Sequence, residues 1–360
     1  MGKVFYRANE FKEQILQAKE KTFERGYLPG FRTLDDFMSF KRGYTTYLYA
    51  FPHTGKSVFM SDLLIHQAKR YNNKIAIFSP EFGKKESLIH SLVQTFVGKK
   101  MYGENKQFVS DDEWIHAMDF IDNHFVILDP PKKSRRKDAG LDFDHFNLEA
   151  AFNEVFKAKK QYGWDISLFV IDPMNHMEKS DIDRKKQTAD YVLDSLMFVN
   201  EASETLNLHT IIVNHLRDAE RITDKETGIE YYPKGYPGDL LGGQNNWRAG
   251  QQMINLHRNP AGVIEKSTGI PYPECSTEVL IQKSKPHSAG KVGDVRLYFD
   301  DFSQKFYEIV DGHKFFAGEY ELKFGDVPEE MKPKSAIQPS SSWYEVDKEP
   351  ELFKDDNEPF

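Results

Sequence analysis

Short, continuous apolar runs alternate along the chain with longer stretches in which apolar residues recur every three or four positions. The runs "YTTYLYAF" (44–51), "KIAIFSPEF" (74–82), "HFVILDP" (124–130), "ISLFVIDP" (166–173) and "HTIIVNHL" (209–216) are rich in β-branched and aromatic residues and predict strands. Between them, "VFMSDLLIHQAKRY" (58–71), "KKESLIHSLVQTFVGKK" (84–100), "LEAAFNEVFKAKKQY" (148–162) and "QTADYVLDSLMFVNEASETLN" (187–207) carry helical spacing. Strands that are apolar throughout must be buried on both sides, so the alternation predicts an α/β fold: a mostly parallel sheet flanked by helices. Residues 218–245 are polar, rich in Gly and Pro and without period, which predicts a long functional loop. Beyond it, "QQMINLHRNP" (251–260), "STEVLIQKSKP" (276–286) and "VRLYFDDFSQKFYEI" (295–309) read as antiparallel-type strands added at the C-terminal side. Near the N-terminus, Phe11, Ile15 and Ala18 predict an amphipathic helix over residues 8–25, closed by "GYLPG".

The 360 residues are 39% hydrophobic and 29% charged, ample for a buried core. The sequence holds no apolar run long enough to span a membrane and no apolar signal core, and Tyr6 stands where a myristoylation motif wants Ser or Thr. Cys275 is the single cysteine, which excludes an intramolecular disulfide and a cysteine-based zinc module and fits a reducing cytoplasm. The net charge of −8 argues against a nucleic-acid binder until its placement is considered. Residues 326–360 hold ten acidic residues and four lysines, so the other 325 residues carry about −2, with basic clusters at 131–138 and 183–186.

Chemistry collects at the ends of the predicted strands. "AFPHTGKS", Ala50, Phe51, Pro52, His53, Thr54, Gly55, Lys56 and Ser57, lies between a strand and a helix, as a phosphate-binding loop does, although that loop ordinarily opens with glycine. In such a loop, backbone N–H groups and the helix N-terminus face the phosphates, the lysine bridges them and the serine holds Mg²⁺. Asp172 ends an apolar strand, where a carboxylate holds the Mg²⁺ side of a nucleotide site. Glu81 stands just past the strand that follows the phosphate-loop helix, within reach of an attacking water. Asn214 and His215 end a third. Taken singly, each has an ordinary reading: a helix-capping turn, an Asp starting a turn before Pro173, an exposed loop glutamate, a structural histidine. Together they place four strand ends on one edge of a parallel sheet, where such folds bind ligands, and predict an ATPase.

In this order the motifs resemble the RecA-like motor of the DnaB-family replicative helicases, including the phage primase-helicases and Twinkle, over about residues 26–310. "GYLPGFRTLDDFMSFKRG" is similar to that family's leading segment, and Ala50 with Pro52 matches the DnaB form of the phosphate loop, so the missing glycine becomes part of the likeness. The resemblance implies Glu81 as catalytic base, Asp172 as the metal-side carboxylate and His215 as the γ-phosphate sensor. It also implies Arg258, in "LHRNP", as an arginine finger acting in trans. In the DnaB branch a Lys-x-Arg pair takes that part, and Lys283 and Lys285 stand there as second candidates. Pro173 and Asn175 depart from the family's Tyr and Gln. ATP or another NTP, Mg²⁺, single-stranded DNA, a homo-oligomeric ring of six and 5′ to 3′ movement follow as expectations.

Two stretches are candidates for DNA contact: Lys179, Arg184, Lys185 and Lys186 after the Asp172 strand, and Gly242, Gly243, Asn245 and Arg248 in the long loop. The first reads equally as a solvated helix start. The expected organisation is a subunit-docking helix in 1–30, a RecA-like ATPase domain over 31–325 and a disordered acidic tail over 326–360, with no primase or DnaB-type helical domain before the motor. The tail ends in Asp355, Asp356 and Phe360, similar to the terminal hook of single-strand-binding proteins, and implies a polymerase, primase or other replisome partner; a merely solubilising tail is the other reading. Rival functions are a RecA- or KaiC-like ATPase that does not unwind DNA, and a non-catalytic assembly protein that keeps the fold.

Overall fold

The computed structural model describes residues 7–13, 16, 26–82, 85–102, 108–131, 135, 145–217 and 219–320. Most of the N-terminal helix expected over 8–25, most of the basic cluster 131–138 and the whole tail with Asp355, Asp356 and Phe360 lie outside them. Of the expected helix, Ala8–Phe11 forms a 3-10 turn.

The strands are β1 (Thr45–Ala50), β2 (Lys74–Phe78), β3 (Phe125–Ile127), β4 (Ile166–Ile171), β5 (His209–His215), β6 (Ile222–Thr223), β7 (Glu230–Tyr231), β8 (Gln252–Arg258), β9 (Ser276–Ser284), β10 (Gly293–Asp300), β11 (Lys305–Val310) and β12 (His313–Phe316). The α-helices are α1 (Arg32–Asp35), α2 (Lys56–Tyr71), α3 (Lys85–Val97), α4 (Asp111–Asp122), α5 (Leu148–Tyr162), α6 (Thr188–Thr205) and α7 (Gln244–Ala249). Apart from the small β6–β7 hairpin, these strands form one sheet in the order β12-β11-β10-β9-β8-β1-β5-β4-β2-β3. From β8 to β3 every pairing is parallel, and from β8 to β12 every pairing is antiparallel. The α/β expectation with antiparallel strands on the C-terminal side therefore holds.

Strand alternation divides the core between two helical layers. Leu48 and Ala50 of β1, Ile75 and Ile77 of β2 and Val170 of β4 pack with Phe59, Leu63, Leu88, Leu92 and Ile121 of α2, α3 and α4. Tyr47, Tyr49, Phe78, Phe169 and Ile171 face the other way, onto Phe152, Val155, Leu196 and Val199 of α5 and α6. Phe152 is fully buried and meets Phe169 edge-on at 5.1 Å. Phe152→Ala should cost about 3–5 kcal/mol, from lost apolar contact plus the cavity left behind; urea unfolding would check it, and a cost under about 1 kcal/mol would contradict this packing.

Four details differ from the expectation. β8 pairs in parallel with β1 and only its other side is antiparallel, so "MINLHR" closes the parallel set. β3 is short and half-exposed because it is an edge strand, with β2 on one side only. The pattern above omits α4, whose start is marked by a capping box: Ser110 accepts from the Glu113 N–H while Glu113 reaches back to the Ser110 N–H. Within the long loop, β6 and β7 pair and residues 244–249 form α7, so that stretch is not without structure. No helix among the described residues is long and apolar enough to cross a membrane.

Candidate nucleotide site

The segment between β1 and α2 turns through two left-handed residues, His53 (φ 63°) and Gly55 (φ 90°). Gly55 is the N-cap of α2, and glycine adopts that conformation without the Cβ clash other residues meet. Thr54 Oγ1 donates to the Phe51 carbonyl at 3.0 Å and braces the turn. Pro52 and His53 are exposed, Thr54 and Lys56 are buried, and Ser57 is half-buried in the first turn of α2. A turn of this kind ahead of a sixteen-residue helix gathers backbone N–H groups at the positive end of the helix dipole, a receptacle for phosphate.

Parallel register brings the other candidates to the same edge. Ala50 pairs with His215, and the Leu216 N–H donates to the Ala50 carbonyl, so β5 ends beside the phosphate loop. Phe78 pairs with Ile171, which sets Ser79 next to Asp172. The side chains then form a chain of contacts. Lys56 Nζ donates to His215 Nδ1 at 3.1 Å, and His215 Nε2 lies 3.0 Å from Glu81 Oε1. Because the ammonium can only donate, the imidazole presents Nδ1 as acceptor and donates its Nε2–H to the Glu81 carboxylate. Ser79 Oγ donates to Asp172 Oδ2 at 3.1 Å. Sequence reasoning missed Ser79, although it stands two residues before Glu81 in the quoted "FSPEF".

Electrostatics at this edge fit a cation-binding site. Burial lifts the Asp172 carboxyl to about 7, with the Glu81 charge as second cause and the Ser79 hydrogen bond and Lys56 opposing. Burial pulls the Lys56 ammonium below its ordinary value, against the attraction of Glu81 and Asp172. Asp172 Oδ1 and Asn214 Oδ1 are buried without a hydrogen-bond partner among the described residues. A buried carboxylate oxygen without a donor is suited to a hydrated divalent cation, so Ser57 and Asp172 fit Mg²⁺. Bound there, Mg²⁺ would neutralise phosphate charge. A cavity of about 260 Å³ borders Ser79 and His176 but includes none of Lys56, Glu81 or Asp172 in its lining, and it is not this site.

The finger candidates separate to opposite edges of the sheet. Arg258 is exposed at the end of β8, three residues past Asn255, the partner of Tyr49, and so lies at the phosphate-loop edge. Lys283 pairs with Met253 at the start of β8, which puts Lys283 and Lys285 at the far edge, about 17 Å of strand away at ~3.4 Å per residue. Lys283 is buried, donates to the Trp247 carbonyl and lies over the Trp247 ring at 5.3 Å. Lys285 is exposed.

The two DNA-contact candidates come together. Asn245 Nδ2 donates to the Ala189 carbonyl at 2.9 Å, and Gly242 packs on Val192, so the α7 region sits on the start of α6, directly after residues 179–186. Gly243 caps α7, and Arg248 is exposed at its end. Asn246, absent from the candidates, is the buried pin, donating to the carbonyls of Leu241 and Gly243. In the first stretch, Lys179 lies over the Tyr191 ring at 4.1 Å, Arg184 is 3.6 Å from Asp181, and Lys186 pairs with Asp183 and Asp194. Lys185 is exposed without an ion pair among the described residues.

Compared with solved structures, the chain superposes on a DnaB-like replicative helicase, solved in a study of its interactions with primase, with a TM-score of 0.62 and 18% identity over 84% of this chain and 67% of that one. The fold is the RecA-like fold of the DnaB-like helicases. A separately solved ATPase domain matches this fold equally, at TM-score 0.62 and 18% identity, covering 84% of this chain and 98% of that domain. By sequence, the chain is 23% identical over 283 residues to the Twinkle homolog protein, chloroplastic/mitochondrial, of Arabidopsis thaliana, covering 77% of this chain. It spans only about a third, 36%, of that relative's length. No family model matches.

Proposed function

We propose that this chain is the ATP-driven motor of a ring-forming replicative helicase that moves along single-stranded DNA. The observation that carries the reading is the Lys56–His215–Glu81 chain of contacts beside Asp172, at the edge where β1, β2, β4 and β5 end. Glu81 is placed to take the proton of a water attacking the terminal phosphate, and His215 orients it by donating from Nε2. Lys56 is held on His215 Nδ1 until a phosphate displaces it, so ligand binding frees a histidine that is already attached to the base and to the loop after β5. By the resemblance of its motifs to the DnaB-family helicases, the proposal extends to Mg²⁺ at Ser57 and Asp172, a six-membered ring, 5′ to 3′ movement and a phage source. DNA contact is assigned to Lys185, Asn245, Arg248 and their neighbours on the α6–α7 platform, and a replisome protein to the tail ending in Phe360.

Arg258 is proposed as the cation that reaches the neighbouring subunit's site, where it would stabilise charge on the transferring phosphoryl group. Lys283 is engaged with Trp247 in its own chain, which leaves Lys285 as the competing exposed cation. The deciding assay measures ATP-dependent unwinding of 5′- and 3′-tailed forks and DNA-stimulated hydrolysis. Wild type should unwind 5′-tailed forks, and Arg258→Ala should lose at least about 10³-fold in stimulated kcat, the low end for an arginine finger. Hydrolysis without unwinding would favour the RecA- or KaiC-like reading. Loss in Lys285→Ala with Arg258→Ala unaffected would move the finger to the far edge of the sheet.

A further inference from the structure

The loop after His215 holds a contact that the catalytic reading does not use. Phe51, inside the phosphate loop, stacks flat on Tyr232, with ring centroids 4.5 Å apart and planes within 9°. The Arg221 guanidinium lies over Tyr232 at 4.8 Å. Arg221 directly precedes β6 and Tyr232 directly follows β7, and Ile222 pairs with Tyr231, so these two residues form the base of the hairpin. The three groups make one tier, Phe51, Tyr232 and Arg221, that joins the hairpin base to the phosphate loop. Beyond the base, the tip is closed on itself by Asp224, which accepts from the N–H groups of Glu226 and Thr227, and Lys225 is exposed there.

Three residues beyond Tyr232 the chain is fixed. The Gly235 N–H donates to Asn255 Oδ1 at 3.1 Å, and its carbonyl accepts from Gln282 Nε2 at 2.8 Å. Asn255 Nδ2 donates in turn to the Tyr49 carbonyl at 3.0 Å, and the Tyr49 hydroxyl donates to Gln282 Oε1. A Cβ on Gly235 would come within 2.2 Å of a Leu216 methyl, so a side chain there would require Leu216 to shift. One end of the segment is thus tied to β1, β8 and β9, while the other rests on Phe51 of the phosphate loop.

We infer that Tyr232 is a positioning residue that makes the β6–β7 hairpin an arm responsive to the nucleotide: phosphate bound at 50–57 moves Phe51, and the stack carries that movement to the hairpin about the fixed Gly235. The inference rests on the phosphate-loop reading above. The path so inferred runs through the stacked rings and not along the backbone from His215 and Leu216, so the hairpin's response depends on Tyr232. A side chain that only filled space would give the arm no dependence on ligand.

Amide hydrogen exchange over residues 222–231 of the full chain, with and without a slowly hydrolysed ATP analogue and Mg²⁺, tests this. In wild type the analogue should change exchange there at least about fivefold, the low end of ordinary coupling between sites. Tyr232→Ala should abolish that change while binding the analogue within about threefold of wild type, and Tyr232→Phe, which keeps the ring, should restore it. Should the alanine variant misfold, Tyr232→Leu, apolar but without a ring, serves in its place. A ligand-dependent change that survives in Tyr232→Ala or Tyr232→Leu overturns the inference and leaves the ATPase reading intact, as does wild type that binds the analogue with no change in 222–231. Wild type that fails to bind the analogue overturns both.

Discussion

Glu81→Gln is expected to lower kcat for ATP hydrolysis by about 10²–10⁴-fold, the range lost with a general base, with nucleotide affinity changed less than about threefold. Glutamine keeps the shape and the carbonyl oxygen that accepts from His215 Nε2, but it has no basic lone pair for the proton of the attacking water. The Lys56–His215 contact lies on the opposite side of the imidazole and should persist. Phosphate release and binding of a fluorescent nucleotide, measured on the same preparation, separate the two effects. A kcat within about threefold of wild type would remove Glu81 from the chemistry. Equal losses in kcat and binding would make it a structural partner of His215 instead. Lys56→Ala should behave differently, losing binding and hydrolysis together, because its ammonium serves the phosphates before and during the reaction.

Asp172→Asn is expected to abolish hydrolysis and yet stabilise the ligand-free protein. The sign follows from the carboxyl's position at about 7, raised first by burial and then by Glu81. In the unfolded chain an Asp titrates near 3.9. Between about pH 4 and 7 the native state therefore holds a proton that the unfolded state has released, and stability falls as pH rises through that window. Above it, the folded protein carries a buried charge that asparagine does not. At pH 8 the variant should unfold a few degrees higher than wild type, on the order of 2 kcal/mol, and the difference should vanish by about pH 4. Asp62 is raised to about 7 by its own burial and contributes the same trend to both proteins, so the difference between variant and wild type is the quantity to read. Adding Mg²⁺ and nucleotide should stabilise wild type and not the variant. Thermal scans at a series of pH values check this, and a variant less stable than wild type at pH 8 would contradict it.

Residues of the site were legible because of where parallel sheets put their strand ends. The run "LFVI" must be buried on both faces, so the polar residue that follows, Asp172, emerges at the sheet edge; Glu81 and His215 were found by the same logic, and Lys56 by the spacing of "AFPHTGKS". Arg258 and Lys285 could be named from the sequence but not located, since each follows a strand equally well. The β8–β9 register alone reveals that they point to opposite edges. Gln244–Ala249 escaped notice as a helix because six residues are too few to show a period.

By itself, then, the sequence determined the α/β class, the turn at 50–57 with its strand and helix, and the four strand ends whose side chains meet at the candidate site. All of these are local: a run of apolar residues, a turn and the side chain that comes next. Tertiary structure decided the rest. It joined Lys56 to His215 and His215 to Glu81, laid the α7 platform on α6, and set Tyr232 on Phe51, 181 positions apart along the chain. Such contacts depend on strand order and register, which are fixed by pairing between distant segments, and periodicity within a segment carries no record of its partner.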